Sequence, residues 1–404
     1  MIRLLRNCLG ALCVLLTAMI MAPRPAAAQE PLLVDDPNVV YVFGEQITFQ
    51  GRFPEAAQIA QASVLFRQAD EEFTRVDSLR IEPDGSAHFS YDASLNMFAP
   101  FSTVMFWFQA AFTDGSTRSS PAYSFRYDDN RFPWQELWDA DLAVHWYDGD
   151  TAFGQAALDA ARVSLGAVGE LLALKAAGPL DIYIYSNPND LQGALYLGGR
   201  EWVGGHADPA LGVALVAIPP GETQTMEMQT RIPHEAAHVL LYRDLGPAYD
   251  NLPAWLGEGI ASLVEAYPNP DDSNALDTAS RNGSLIPLLE LCDSFPPDSG
   301  RAFLAYAQSR SFTAYLRDTY GATGLAALVH AYADGLDCDL GAARAVGLPL
   351  SQLDSRWRED ALGQNAAGSA LRDLAPYLLV LGMALLIPLS GLLIMVFERR
   401  QRER

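Results

Sequence analysis

Basic residues are scarce in this chain. Against 49 Asp and Glu stand only 27 Lys and Arg, a formal net charge of −22 over 404 residues. Nucleic-acid binding leans on basic patches that neutralise phosphates, so that class of function is excluded. Cysteine is scarcer, with four in all, and histidine numbers six. Cys8 and Cys13 fall in a leader-like segment, so a processed chain keeps only Cys292 and Cys338. In an exported protein two remaining thiols are candidates for a disulfide, with two independent free cysteines as the alternative. Closing that loop would stabilise the fold by about 3–4 kcal/mol in the chain-entropy model.

Long apolar runs are equally few, and the two that exist lie near the ends. Residues 1–28 read as an export signal: Arg3 and Arg6, an apolar stretch over 9–21, then Ala26-Ala27-Ala28 as the cleavage site. A retained anchor is the alternative, although the stretch is short for a span. Residues 375–397 are uncharged and follow a Gly/Ala/Ser-containing linker at 363–374. As helix this run reaches about 34 Å, enough for a bilayer core of about 30 Å. The tail 398–404 carries four arginines, so the positive-inside rule puts it in the cytoplasm. The expected arrangement is a single-pass protein of the cell membrane, with its N-terminal ectodomain outside.

Between these ends the pattern changes once. Over 31–127, short runs such as Val39-Val40-Tyr41-Val42 and Ala87-His88-Phe89-Ser90-Tyr91 are rich in β-branched and aromatic residues. Asp84-Gly85 and Asp114-Gly115 serve as turn dipeptides between strands. About seven strands in this length predict an immunoglobulin- or fibronectin-like β-sandwich. Residues 128–142 read as irregular and hold the domain boundary. From there to 362, strands at 143–147, 180–185 and 212–218 alternate with helices at 151–174, 299–319, 323–334 and 350–362. The fold class is therefore α+β, multidomain, with one C-terminal membrane helix. Residues 268–277 carry three aspartates at a spacing that does not suit a Ca²⁺ loop, and read as a solvated loop.

Two of the six histidines stand together, in His234-Glu235-Ala236-Ala237-His238. Positions i and i+4 share a helix face, so both imidazoles can reach one Zn²⁺, with Glu235 beside them. A third ligand is offered by Glu258, in Trp255-Leu256-Gly257-Glu258-Gly259, 20 residues after His238.

This pair of motifs resembles the gluzincin metallopeptidases, and within them the bacterial peptidase MA-like proteins, over roughly 135–362. The resemblance implies a thermolysin-like domain over 128–362 and one zinc per chain, held by His234, His238 and Glu258. It further implies Glu235 as general base, assisting attack of zinc-bound water on a peptide bond. Tyr306-Ala307-Gln308-Ser309 is similar to the Y-x-x-[SG] helix of these families, which implies Tyr306 as oxyanion stabiliser; Tyr320 and His206 compete for that role. The strand at 212–218 takes the place of the edge strand that pairs with extended substrate, a buried core strand being the alternative. Thermolysin-like relatives have an aspartate where this chain has Ser262, so Glu265 is the candidate to orient a zinc histidine. No G-x-M-E-N segment is present to grip a free α-amine, which leaves an endopeptidase acting on protein or peptide substrates as the expectation. A catalytically inactive gluzincin scaffold that binds or displays a partner is the rival.

Overall fold

The computed structural model describes residues 30–172, 179–195, 204–364, 374–384 and 386. It divides into two compact units, 1–132 and 133–404.

The first unit is all-β: β1 (Asp35–Val42), β2 (Gln46–Arg52), β3 (Ile59–Gln68), β4 (Arg75–Ile81), β5 (Ser86–Asp92), β6 (Thr103–Phe112), β7 (Thr117–Ser119) and β8 (Tyr123–Arg126). Along β6, alternate residues are buried, as expected for a strand with one face on a core. The strands form one path, β1-β2-β5-β4-β3-β6-β7, with β8 also on β6. Yet Phe49 of β2 touches Phe66 of β3 and Phe106 of β6, at centroid distances of 4.7 and 5.3 Å. Strands so far apart in the path meet only if the sheet folds over an aromatic interior. The β4–β5 pairing, just Arg80↔His88 and Ile81↔Ala87, is the seam. The outcome is a sandwich whose two halves are continuous through β4 rather than two separate sheets.

The second unit carries a five-stranded sheet: β9 (Gln135–Asp139), β10 (Leu142–Trp146), β11 (Leu180–Tyr185), β12 (Gly205–Asp208) and β13 (Val213–Ala217), in the order β12-β13-β11-β10-β9. The three inner strands are parallel, and both outer strands are antiparallel to their neighbours. One expectation is corrected here and one open alternative is decided. Residues 128–142 are not wholly irregular, because β9 lies inside them; its polar, half-exposed pattern is that of an edge strand. The strand expected at 212–218 is not the edge. All five residues of β13 are buried, since β12 pairs with its outer side and covers it.

The helices are α1 (Thr151–Leu172), α2 (Pro188–Leu195), α3 (Gln224–Leu245), α4 (Ala254–Leu263), α5 (Asp271–Asn282), α6 (Ser299–Ala333), α7 (Cys338–Val346) and α8 (Leu350–Asp360). α6 contains the two expected helices in one run, divided at Gly321, whose φ of 71° and ψ of 177° are non-helical. The three aspartates of 268–277 do not lie in a loop: Asp271 begins α5, and acidic residues suit its first turn. α4, α6, α7 and α8 bury Trp255, Phe312, Tyr332 and Trp357 in one core. Cys292 and Cys338 form a disulfide across a separation of 46 residues.

Among the described residues no helix is long and apolar enough to cross a membrane. The leader expected at 1–28 lies outside the described residues, as does most of the span expected at 375–397.

Candidate metal centre

α3 brings the two histidines to one face, with ring centroids 5.3 Å apart. Its opposite face is apolar and buried through Met228, Ile232, Ala236 and Val239, which fixes the helix against the sheet. α4 supplies the third group. Its start is set by Pro253 in extended conformation and by the Ala254 amide, which donates to the Cys292 carbonyl at 2.8 Å. Gly259 lets α4 approach α6: a Cβ there would collide with the Thr313 hydroxyl. Glu258, one residue before, is thereby held facing α3.

One ligand atom each from His234, His238 and Glu258 lies within 4.8 Å of the others. Glu258 Oε2 is 3.3 Å from His234 Nε2 and 3.7 Å from His238 Nε2. That oxygen is buried and has no hydrogen-bond partner among the described residues. A buried carboxylate oxygen without a partner is costly, and a cation between it and the two ring nitrogens removes the cost. Two imidazoles and one carboxylate are the donor set of a three-ligand zinc site with an open position. The residues present fit the metal.

Both histidines are tied on their far nitrogens. His234 Nδ1 lies 2.7 Å from Glu265 Oε1, so Glu265 holds the place that Ser262 does not fill. It does so from just beyond the end of α4 rather than from the helix face itself. His238 Nδ1 lies 2.9 Å from the hydroxyl of Tyr249, in the 3-10 turn Gly246–Asn251. Each contact leaves Nε2 turned toward Glu258. Tyr249 escaped the sequence reading, because no helical or strand period places a 3-10 residue.

The charges are unequal. Burial alone would lower His234, but the carboxylates of Glu258 and Glu265 outweigh it and hold the imidazole well above its ordinary range. Burial dominates at His238, which is pushed down to about 4 despite the pull of Glu258. Burial also raises Glu235 to about 7, with His234 opposing and Glu258 adding to the rise. Burial would raise Glu258 as well, but His238 and His234 bring it below the usual carboxylate value. The Tyr249 phenol is held above its usual range by burial first and then by Glu258.

A cleft of about 600 Å³ opens beside the centre, and His234, Glu235, Glu265, Ser262 and Tyr306 line it. Tyr306, in the second turn of α6, has its ring 6.4 Å from that of His234 and edge-on to Phe295 at 4.8 Å. Tyr320 packs on the helical core and does not line the cleft. His206 sits in β12, opposite Leu215. β12 also shapes the site, for a Cβ at Gly205 would collide with the Glu235 carboxylate and one at Gly204 with Arg231. Arg231 Nη1 donates to the Gly204 carbonyl at 3.0 Å, tying the strand to α3. The Gly204-Gly205 pair was the available signal, since adjacent glycines mark a close backbone approach.

Residues 160–362, 203 of 404 and so just over half the chain, match the model of the peptidase MA superfamily. No curated protein matches the chain. Similar solved structures include an M1 zinc metallopeptidase from Deinococcus radiodurans, at 11% identity and a TM-score of 0.38, over 83% of this chain and 96% of that one. A myokine is similar at 12% identity and 0.20, over 24% of this chain and 99% of its own. A cycloalternan-degrading enzyme from Trueperella pyogenes is similar at 16% identity and 0.17, over 27% of this chain, which spans only 13% of that enzyme. At TM-scores below 0.5, none of the three bears on the chemistry of this chain.

Proposed function

The chain belongs to the peptidase MA superfamily, and from that premise we propose that it is a zinc-dependent endopeptidase, membrane-anchored with its folded body on the outer face. The observation that carries the reading is the Glu258 oxygen, buried without a partner between two Nε2 atoms, with Glu235 beside them in an open cleft. A pseudoenzyme has no need of the ligands and the base together.

His234, His238 and Glu258 would hold a zinc ion, which when bound would supply a Lewis acid for the scissile carbonyl and for acidifying water. Glu235 takes the proton of the attacking water and returns it to the leaving amine. Its burial keeps the carboxylate basic enough for that task, and the β12 backbone at Gly205 closes over one side of it. Tyr306 directs its hydroxyl to the oxygen that gains negative charge. β12, the outer strand of the sheet, offers main-chain donors and acceptors to an extended peptide, a mode that needs no particular sequence. The anchor and the outward orientation rest on the run 375–397 and the arginines after it.

The full chain loaded with zinc should cleave internal bonds in a peptide library, lose that activity with a chelator and regain it with zinc. Glu235→Gln should retain the metal and lose turnover. Proteolysis indifferent to chelation, or no zinc by elemental analysis, would sink the reading. Protease protection of intact cells tests the topology, with loss of the body and survival of the tail as the expected outcome.

A further inference from the structure

The cleft holds one acidic group that neither the machinery above nor an ion pair uses. Of the carboxylates lining it, Glu235 is the base and Glu265 binds His234. Glu227 pairs with Arg231 at 3.4 Å and accepts from the Thr223 hydroxyl at 2.8 Å. Asp272, in the first turn of α5, lines the same cleft and has no side-chain hydrogen bond or ion pair among the described residues. Arg310 attracts its charge only from beyond ion-pair distance.

Asp272 shares this cleft with apolar side chains as well as with the polar Thr230, Arg231, Ser262 and Asn269. Met226 and Tyr267 line the cleft while 48% and 49% exposed, and Pro268 and Phe303 line it too. Large exposed hydrophobics in a reactive cleft are contact surface for a ligand. The wall is also held in place: the Thr230 hydroxyl donates to the Met226 carbonyl at 2.9 Å and reaches that of Tyr267 at 3.4 Å. A cleft that offers both apolar side chains and a carboxylate without an ion pair matches a side chain with an aliphatic stem and a cationic head.

We propose that this cleft is a subsite for a lysine or arginine side chain of the substrate, with Asp272 as the residue that selects it. The inference rests on the peptidase reading and adds the substrate class to it. Burial, opposed by Arg310, pushes the Asp272 carboxyl up to about 6, and a cation arriving with the peptide would favour its charged form.

The test is binding to the zinc-loaded, full-length E235Q protein, which separates recognition from turnover. Fluorescent peptides with blocked ends would carry lysine against norleucine, and arginine against citrulline, at each position in turn. At one position the cationic peptide should bind about tenfold more tightly, as expected for an ion pair formed in a half-buried cleft. Asp272→Asn in the same background should bring that ratio close to one, Asp272→Glu should keep it, and Asp272→Arg should favour a glutamate peptide. A ratio near one in the parent, a ratio untouched by Asp272→Asn, or a preference seen only with a free α-amine overturns the proposal alone. Failure to bind any peptide, charged or neutral, overturns the peptidase reading and this inference with it.

Discussion

The carbonyl of Gln229 accepts a hydrogen bond from the amide of Ala266 at 3.0 Å. Inside a helix that carbonyl would normally serve the residue four positions on, but Pro233 stands there and has no N–H. The proline that interrupts α3 one residue before His234 thus frees an acceptor for the residue after Glu265. Pro233→Ala restores a competing donor. The expected result is faster hydrogen exchange at Ala266 and a zinc affinity lower by about tenfold, the range of lost support behind a ligand. Thermal stability should not fall, because alanine suits a helix interior better. Unchanged exchange and affinity would show that both donors share the carbonyl.

The two supports of the histidines differ in kind, a carboxylate at His234 and a phenol at His238. Glu265→Gln and Tyr249→Phe should each weaken zinc binding by about 10–100-fold, with Glu265→Gln the larger loss because a charge-assisted contact is removed. Competition with a chromophoric chelator measures both. Equal affinity in Tyr249→Phe would mean that helix packing alone orients His238.

The convergence of His234, His238 and Glu258, with Glu235 beside them, was legible because the pattern is local. Two histidines and a glutamate within five residues need only a helix to converge, and Glu258 needs only a second helix crossing the first. Glu265 was found from the gap at Ser262, although its position past the end of α4 was not. Tyr249, Gly205 and Asp272 depend on tertiary approach and carry no local period. The order of the sheet was hidden for a similar reason. The apolar run Val213–Ala217 looks the same whether it ends a sheet or lies one strand inside it.

Zinc binding should be pH-dependent. In the metal-free protein His234 is held above its ordinary pKa of about 6.5, so its proton stabilises the fold below that pH. This contribution is lost as pH rises through the folded-state value. The metal must displace the proton, so affinity should rise with pH until His234 is neutral. Calorimetry in buffers of different ionisation enthalpy should register proton release. For turnover, Glu235 must be ionised: its value of about 7 refers to the metal-free site, and a nearby dication lowers it. The acid limb of kcat/KM should therefore fall below pH 7, and a limb well above 7 would exclude Glu235 as the base.

The disulfide bears on the site as well as on stability. Cys292 accepts the amide of Ala254, at the start of the helix that carries Glu258. Replacing both cysteines by serine should lower stability by about 3–4 kcal/mol in the chain-entropy model. Zinc affinity should fall too, as the start of α4 loosens. Denaturant midpoints and metal titration separate the two effects, and a loss of stability with unchanged affinity would limit the bridge to the fold.

Tyr306 is the remaining assignment in the cleft. Amide hydrolysis places growing negative charge on the former carbonyl oxygen, and a phenol aimed there stabilises the transition state more than the bound substrate. The donor must come from outside α3, whose active face is already occupied by His234, Glu235 and His238. Tyr306 enters from α6, in the same cleft as Glu235, and its edge contact with Phe295 supports the ring. Tyr320 faces the core instead. Tyr306→Phe should lower kcat by roughly 10²–10³, the cost of one oxyanion donor. KM and zinc content should stay close to those of the parent, because ring and packing are kept. A near-normal kcat would remove Tyr306 from the mechanism and leave His206, on the adjoining strand, as the group to test.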